Sequence, residues 1–100
     1  MPFQIMININ EILWKDVFAN KIKKKHQVTQ SDVEKILYGK KKVLRVARGK
    51  IKDEDIYLAL GKTDAGRYLS VFFILKKENK VLPISARDMD AKERRRYERK

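Results

Sequence analysis

The sequence predicts an α+β fold: an antiparallel four-stranded sheet packed against two N-terminal helices and a C-terminal helix, with room for an extra N-terminal strand. Three observations predict it. Apolar residues recur at helical spacing as far as Tyr38, the period then drops to two between Lys42 and Ala86, and capping pairs mark helix starts on both sides of that switch. The chain has 100 residues, enough for one modest core, so residues 1–100 are expected to form a single domain.

Residues 3–9 alternate imperfectly and are rich in isoleucine, which suggests the extra strand. The chain turns into a first helix near Leu13 or Trp14. Val17, Phe18 and Ile22 supply its apolar stripe and Lys21, Lys23, Lys24 and Lys25 its cationic surface. Thr29 and Asp32 then form a capping pair, with Val28 placed to staple against Val33, and Gly39 closes a second helix over residues 30–38. Its buried face is Val33, Ile36 and Leu37.

Leu44 and Val46 alternate with Arg45 and Ala47, and after a polar turn at residues 49–53, Ile56, Leu58 and Leu60 alternate with Tyr57 and Ala59. Turn chemistry at residues 62–66 leads into a near-continuous apolar run from Tyr68 to Leu75, which suits a central strand. Residues 77–80 turn the chain into a last strand over residues 81–86. Pro83 favours an edge or a bulge there, because proline has no N–H to give to a ladder. Asp90 and Glu93 open the final helix.

Charge narrows the function. Twenty-five Lys and Arg against 13 Asp and Glu give a net charge of +12, while a 43% hydrophobic content keeps the chain in the globular class. The natural ligands are nucleic acid, an acidic protein, or both. The apolar run at residues 68–75 is far short of the ~20 residues a membrane span requires, and the N-terminus lacks the pattern of a signal peptide. Zero cysteines remove disulfides and thiolate metal sites and fit a cytoplasmic location. There is no Walker loop, dinucleotide-binding glycine pattern, nucleophile elbow or zinc spacing, so no cofactor and no metal are expected.

Cations gather at residues 21–26, 40–48 and 92–100. Each run alone reads as a solvated face; three on a small domain suit phosphate binding by counterion release. A histidine side chain suits acid-base work, but the place of His26 near a helix C-terminus is better explained by the helix dipole. Asp53, Glu54 and Asp55 read as a turn, since consecutive strand residues alternate between faces, though Glu54 or Asp55 could reach the sheet as a lone base. Arg67 and Arg87 lie at strand ends that fall at one end or on one face of the sheet. Both suit bidentate phosphate contact, and both also suit edge protection. Arg87 sits beside Ser85 and Asp88 in a dense polar cluster. Tyr97 shares a helix face with Arg94, where it packs, stacks on a base or supplies a phenol.

Lys25-His26 followed by Val28, the helix carrying Glu34, Ala59-Leu60-Gly61, Asp64 with Gly66-Arg67, Val71-Phe72, Ile84-Ser85-Ala86-Arg87 and Glu93-Arg94-Arg95-Arg96-Tyr97 occur in that order. The combination resembles the BrnT family of bacterial toxin-antitoxin ribonucleases, relatives of the RelE toxins. The resemblance implies a RelE-like fold, RNA cleavage that arrests translation, and neutralisation by a BrnA-type antitoxin, with a homodimer or a hetero-tetramer with antitoxin as the assemblies to test. On that footing Arg67, Arg87, Tyr97 and His26 form the expected catalytic set, and Lys24, Lys25, Arg94, Arg95 and Arg96 the expected RNA contacts. The alternative is a non-catalytic basic module of the same fold that binds RNA or an acidic partner.

Overall fold

A computed structural model describes residues 5–47 and 54–99. The expected turn at residues 49–53, with Asp53, lies outside the described residues, as do Phe3, Arg48 and Lys100. The elements are β1 (Glu11–Ile12), α1 (Asp16–His26), α2 (Gln30–Tyr38), β2 (Lys42–Ala47), β3 (Ile56–Lys62), β4 (Tyr68–Leu75), β5 (Lys80–Asp88) and α3 (Ala91–Glu98). The sheet order is β1-β5-β4-β3-β2, an antiparallel meander from β2 to β5 with β1 added in parallel beside β5.

Helix α2 begins as its sequence requires. Thr29 Oγ1 accepts from the Asp32 N–H and Asp32 accepts from the Thr29 N–H, both at 3.1 Å, while Val28 and Val33 are buried together. Gly39 ends the helix in an extended conformation, not the left-handed one that usually favours glycine. Instead the left-handed residue is Gln27, at the end of α1. Helix α1 starts later than expected, at Asp16. Trp14 stays in front of it and donates its indole N–H to Glu34 on α2 at 2.9 Å. Val17 is 66% exposed, and the buried stripe of α1 is carried by Ile22 with Phe18 half-buried.

The strand expected over residues 3–9 does not form along its described part. Ile5 makes an isolated bridge to Val43 on β2, and the chain then runs to the opposite edge, where Glu11 and Ile12 pair with Lys80 and Val81. Burying Ile5, Ile7 and Ile9 against the core determines this path more than strand pairing does. Pro83 lies beside a bulge in β5, where Phe73 pairs with Pro83 and Phe72 with Ser85.

Both faces of the sheet are covered. On one, Ile22, Val33, Ile36 and Leu37 pack against Val43, Ala59, Leu69, Val71, Phe73, Val81 and Ala86. At the crossing of α2 and β3 a Cβ on Gly61 would sit 2.7 Å from Ile36 Cγ2 and 3.3 Å from its Cβ, so any side chain would force the layers apart. The other face carries Leu44, Leu58 and Leu60, with Phe72, Met89 and Tyr97 packed against them. Helix α3 covers only part of this second face.

Candidate functional site

Alternation along β4 places Tyr68, Ser70 and Phe72 on the α3 side, and the register of β5 puts Arg87 opposite Ser70. Asp90 caps α3, its carboxylate accepting from the Glu93 N–H at 2.7 Å while its own N–H donates to Glu93 Oε1 at 2.9 Å. This capping box turns Glu93 inward. Its carboxylate accepts both terminal nitrogens of Arg87, at 2.7 and 2.8 Å, and the Ser70 hydroxyl at 2.9 Å. The Arg87 side chain remains 34% exposed, over the Phe72 ring at 5.2 Å, with Glu93 only 15% exposed beneath it.

Burial opposes the charge on Glu93, but the Arg87 guanidinium, the Asp90 N–H and the Ser70 hydroxyl outweigh it and hold its carboxyl below the usual range. A depressed carboxyl pKa adds stability above the unfolded value, and that stability is lost as pH falls through the folded value. Glu93→Gln is therefore expected to lower thermal stability at neutral pH by about 1–3 kcal/mol. Melting curves of the two proteins should converge once the pH drops well below the ordinary glutamate value of 4.5.

Beside Arg87, three side chains gather on the Tyr68 ring. The Arg94 guanidinium lies 3.6 Å from its centroid, Lys62 Nζ 5.2 Å, and Tyr97 meets it edge-on at 5.9 Å and 79°. Arg94 also pairs with Glu98 at 3.5 Å. Arg95 is exposed and Arg96 half-buried on the same helix.

Arg67 sits at the same end of the sheet but on the α1 side. Its Nε donates to Asp88 at 2.7 Å, and its terminal nitrogens to the Gln27 and His26 carbonyls at 2.8 and 2.6 Å. The guanidinium thus closes the C-terminus of α1, where the helix dipole favours positive charge, and holds the Asp88 carboxyl below its usual range. His26 is half-buried, with Lys24 and Lys25 exposed beside it. The expected site residues therefore form two groups on opposite faces: Arg87, Arg94 and Tyr97 on one, Arg67 and His26 on the other. Asp88 joins them, since its carboxylate takes Arg67 and its carbonyl takes Arg87 Nη1 at 3.1 Å.

Glu54 pairs with Lys76 and Asp55 with Arg45, each at 2.7 Å, so neither is a lone base. Among the described residues no three His, Asp or Glu side chains converge as metal ligands, and no helix is long and apolar enough to cross a membrane. Sequence reasoning missed Tyr68, Lys62, Ser70 and Phe72. The alternation in β4 was the signal for three of these, and only the register of its neighbours gives it meaning.

The profile of a family described as "Ribonuclease toxin, BrnT, of type II toxin-antitoxin system" matches residues 14–93. Among solved structures, the 1.1 Å crystal structure of the Brucella abortus ribonuclease toxin BrnT is similar to this chain, with a TM-score of 0.58 and 21% identity over 80% of this chain and 96% of that one. No curated protein sequence matches it.

Proposed function

This chain belongs to the BrnT family of ribonuclease toxins of type II toxin-antitoxin systems, and from that premise we propose that it cuts RNA without a metal ion and is silenced by a BrnA-type antitoxin. The observation that carries this reading is Arg87, a fixed and partly exposed guanidinium on the sheet face, flanked by Arg94 and two tyrosines.

RNA supplies its own nucleophile. The 2′-hydroxyl attacks the adjacent phosphorus, the O2′–P bond forms as the P–O5′ bond breaks, and the products are a 2′,3′-cyclic phosphate and a 5′-hydroxyl. The protein must orient the strand, neutralise the phosphate and exchange two protons. Arg87 takes the non-bridging oxygens, and Glu93 keeps its fork in place. Glu93 itself, saturated by four donated hydrogen bonds, is a positioning residue and no base. His26 lies on the opposite face from Arg87 and holds the strand from the α1 side, and Arg67 fixes the backbone that carries it. Tyr97 places its phenol beside the phosphate. Lys24, Lys25, Arg94, Arg95 and Arg96 hold the strand electrostatically.

One observation favours the non-catalytic alternative: the terminal nitrogens of both Arg67 and Arg87 are already engaged within the protein. Incubating the purified protein with total bacterial RNA in excess chelator separates the readings. The proposal expects fragments ending in cyclic phosphate; intact RNA bound in a salt-sensitive complex would establish the binding module instead.

A further inference from the structure

A groove of about 560 Å³ lies at the β2 edge, between the N-terminal segment, the end of α2 and α3. Its walls include Ile5, Tyr38, Lys40, Lys41 and Tyr97, and none of the described residues lining it is acidic. Tyr38 is the last residue of α2 and is 57% exposed, with its neighbour Gly39 turning the chain sharply away. A Cβ on Gly39 would stand 2.6 Å from the Lys35 carbonyl oxygen, so only glycine permits this turn. The turn delivers Lys40, Lys41 and Lys42 directly beside the exposed ring.

The three lysines differ. Lys42 Nζ is committed to the Arg96 and Arg99 carbonyls, so it fixes the end of α3 against β2. Lys40 is exposed. Lys41 is half-buried, burial holds its pKa below the ordinary lysine value, and its hydrogen bond among the described residues is a long one of 3.4 Å to the Gly39 carbonyl. No carboxylate pairs with it among the described residues, so an incoming phosphate would supply the missing counter-charge. Tyr97 completes the arrangement, because it lines the groove and also meets Tyr68 in the cluster beside Arg87.

We propose that this groove is a subsite for an unpaired nucleotide flanking the cleaved bond, with the base stacked on Tyr38 and Tyr97 and its phosphate held by Lys40 and Lys41. The proposal rests on RNA being the substrate, and it extends the track from the Arg87 cluster to the far edge of the sheet. Exposed aromatics beside unpaired cations are the elements by which proteins hold single strands without reading their sequence. An acidic peptide would satisfy the lysines but leave the two rings without a flat partner.

The test is fluorescence anisotropy with a labelled, 2′-O-methylated octauridylate, which cannot be cleaved. Tyr38→Ala is expected to weaken binding about tenfold and Tyr38→Phe to bind like the wild type. Lys41→Ala should weaken binding and lower the slope of log affinity against log salt by about 0.7. Unchanged affinity in Tyr38→Ala, or no binding by the wild type at low salt, overturns the subsite. Displacement of the probe by a deca-glutamate peptide in a Tyr38-dependent way also overturns it, in favour of an acidic protein partner. The two readings fail separately: Tyr38-dependent binding without cleavage of natural RNA leaves the subsite and removes the ribonuclease, and cleavage with Tyr38-independent binding does the reverse.

Discussion

Phe73→Ala is expected to remove a large share of the domain's stability and to lower its melting midpoint more than Glu93→Gln does. Phe73 is fully buried in the centre of β4, stacked on Tyr57 at 5.8 Å and 19°, and packed within the core between the sheet and the two N-terminal helices. Truncating such a ring removes its transfer free energy and leaves a cavity that neighbouring strands cannot close, a cost of about 3–5 kcal/mol. A domain of this size has about 5–15 kcal/mol in total, and a net charge of +12 places this one under self-repulsion. At roughly 4–8 °C per kcal/mol, the midpoint should fall by about 15 °C or more, read by circular dichroism on heating. A shift of only a few degrees would mean that the core is looser than the described packing.

Arg87→Ala should reduce RNA cleavage by about 100-fold or more, the scale on which removal of a preorganised charge-stabilising donor acts. Stability is a separate matter, because the substitution also leaves Glu93, 15% exposed, without its guanidinium. Two companions separate the effects. Arg87→Lys keeps the charge and loses the fork, so it should fold nearly as well as the wild type and still cleave slowly. Arg87→Ala combined with Glu93→Gln removes the unpaired carboxylate, so it should recover stability and recover no activity. Growth on induced expression gives the same ranking in cells, with arrest by the wild type alone.

Local signals made much of the fold legible. The pairs Thr29 with Asp32 and Asp90 with Glu93 act as reciprocal caps, and the apolar run Tyr68–Leu75 is β4 with those bounds. Each depends on neighbours within a few residues, which sequence displays directly. Long-range pairing was not legible. The contact of Glu11 and Ile12 with β5 spans only two residues and carries no pattern of its own. The site suffered most from this. Arg67 and Arg87 read as partners on the sheet, yet the bulge beside Pro83 shifts the pairing of β5 by one residue, which changes the face its later residues take. Arg87 therefore meets Ser70 and α3, while Arg67 turns to the end of α1. Glu93 was legible as a cap, and the same capping box brings its carboxylate to Arg87.

Arg87 on the α3 face is proposed as the phosphate-neutralising residue of a metal-independent ribonuclease. The most direct test of this role is the initial rate at which the purified wild type and Arg87→Lys cleave one labelled RNA in excess chelator, with both shown to be folded by circular dichroism. The wild type is expected to cleave rapidly and Arg87→Lys at a rate at least tenfold lower, since a lysine cannot reproduce the bidentate contact. Equal rates in two folded proteins would contradict this role and move the chemistry to the His26 side of the sheet.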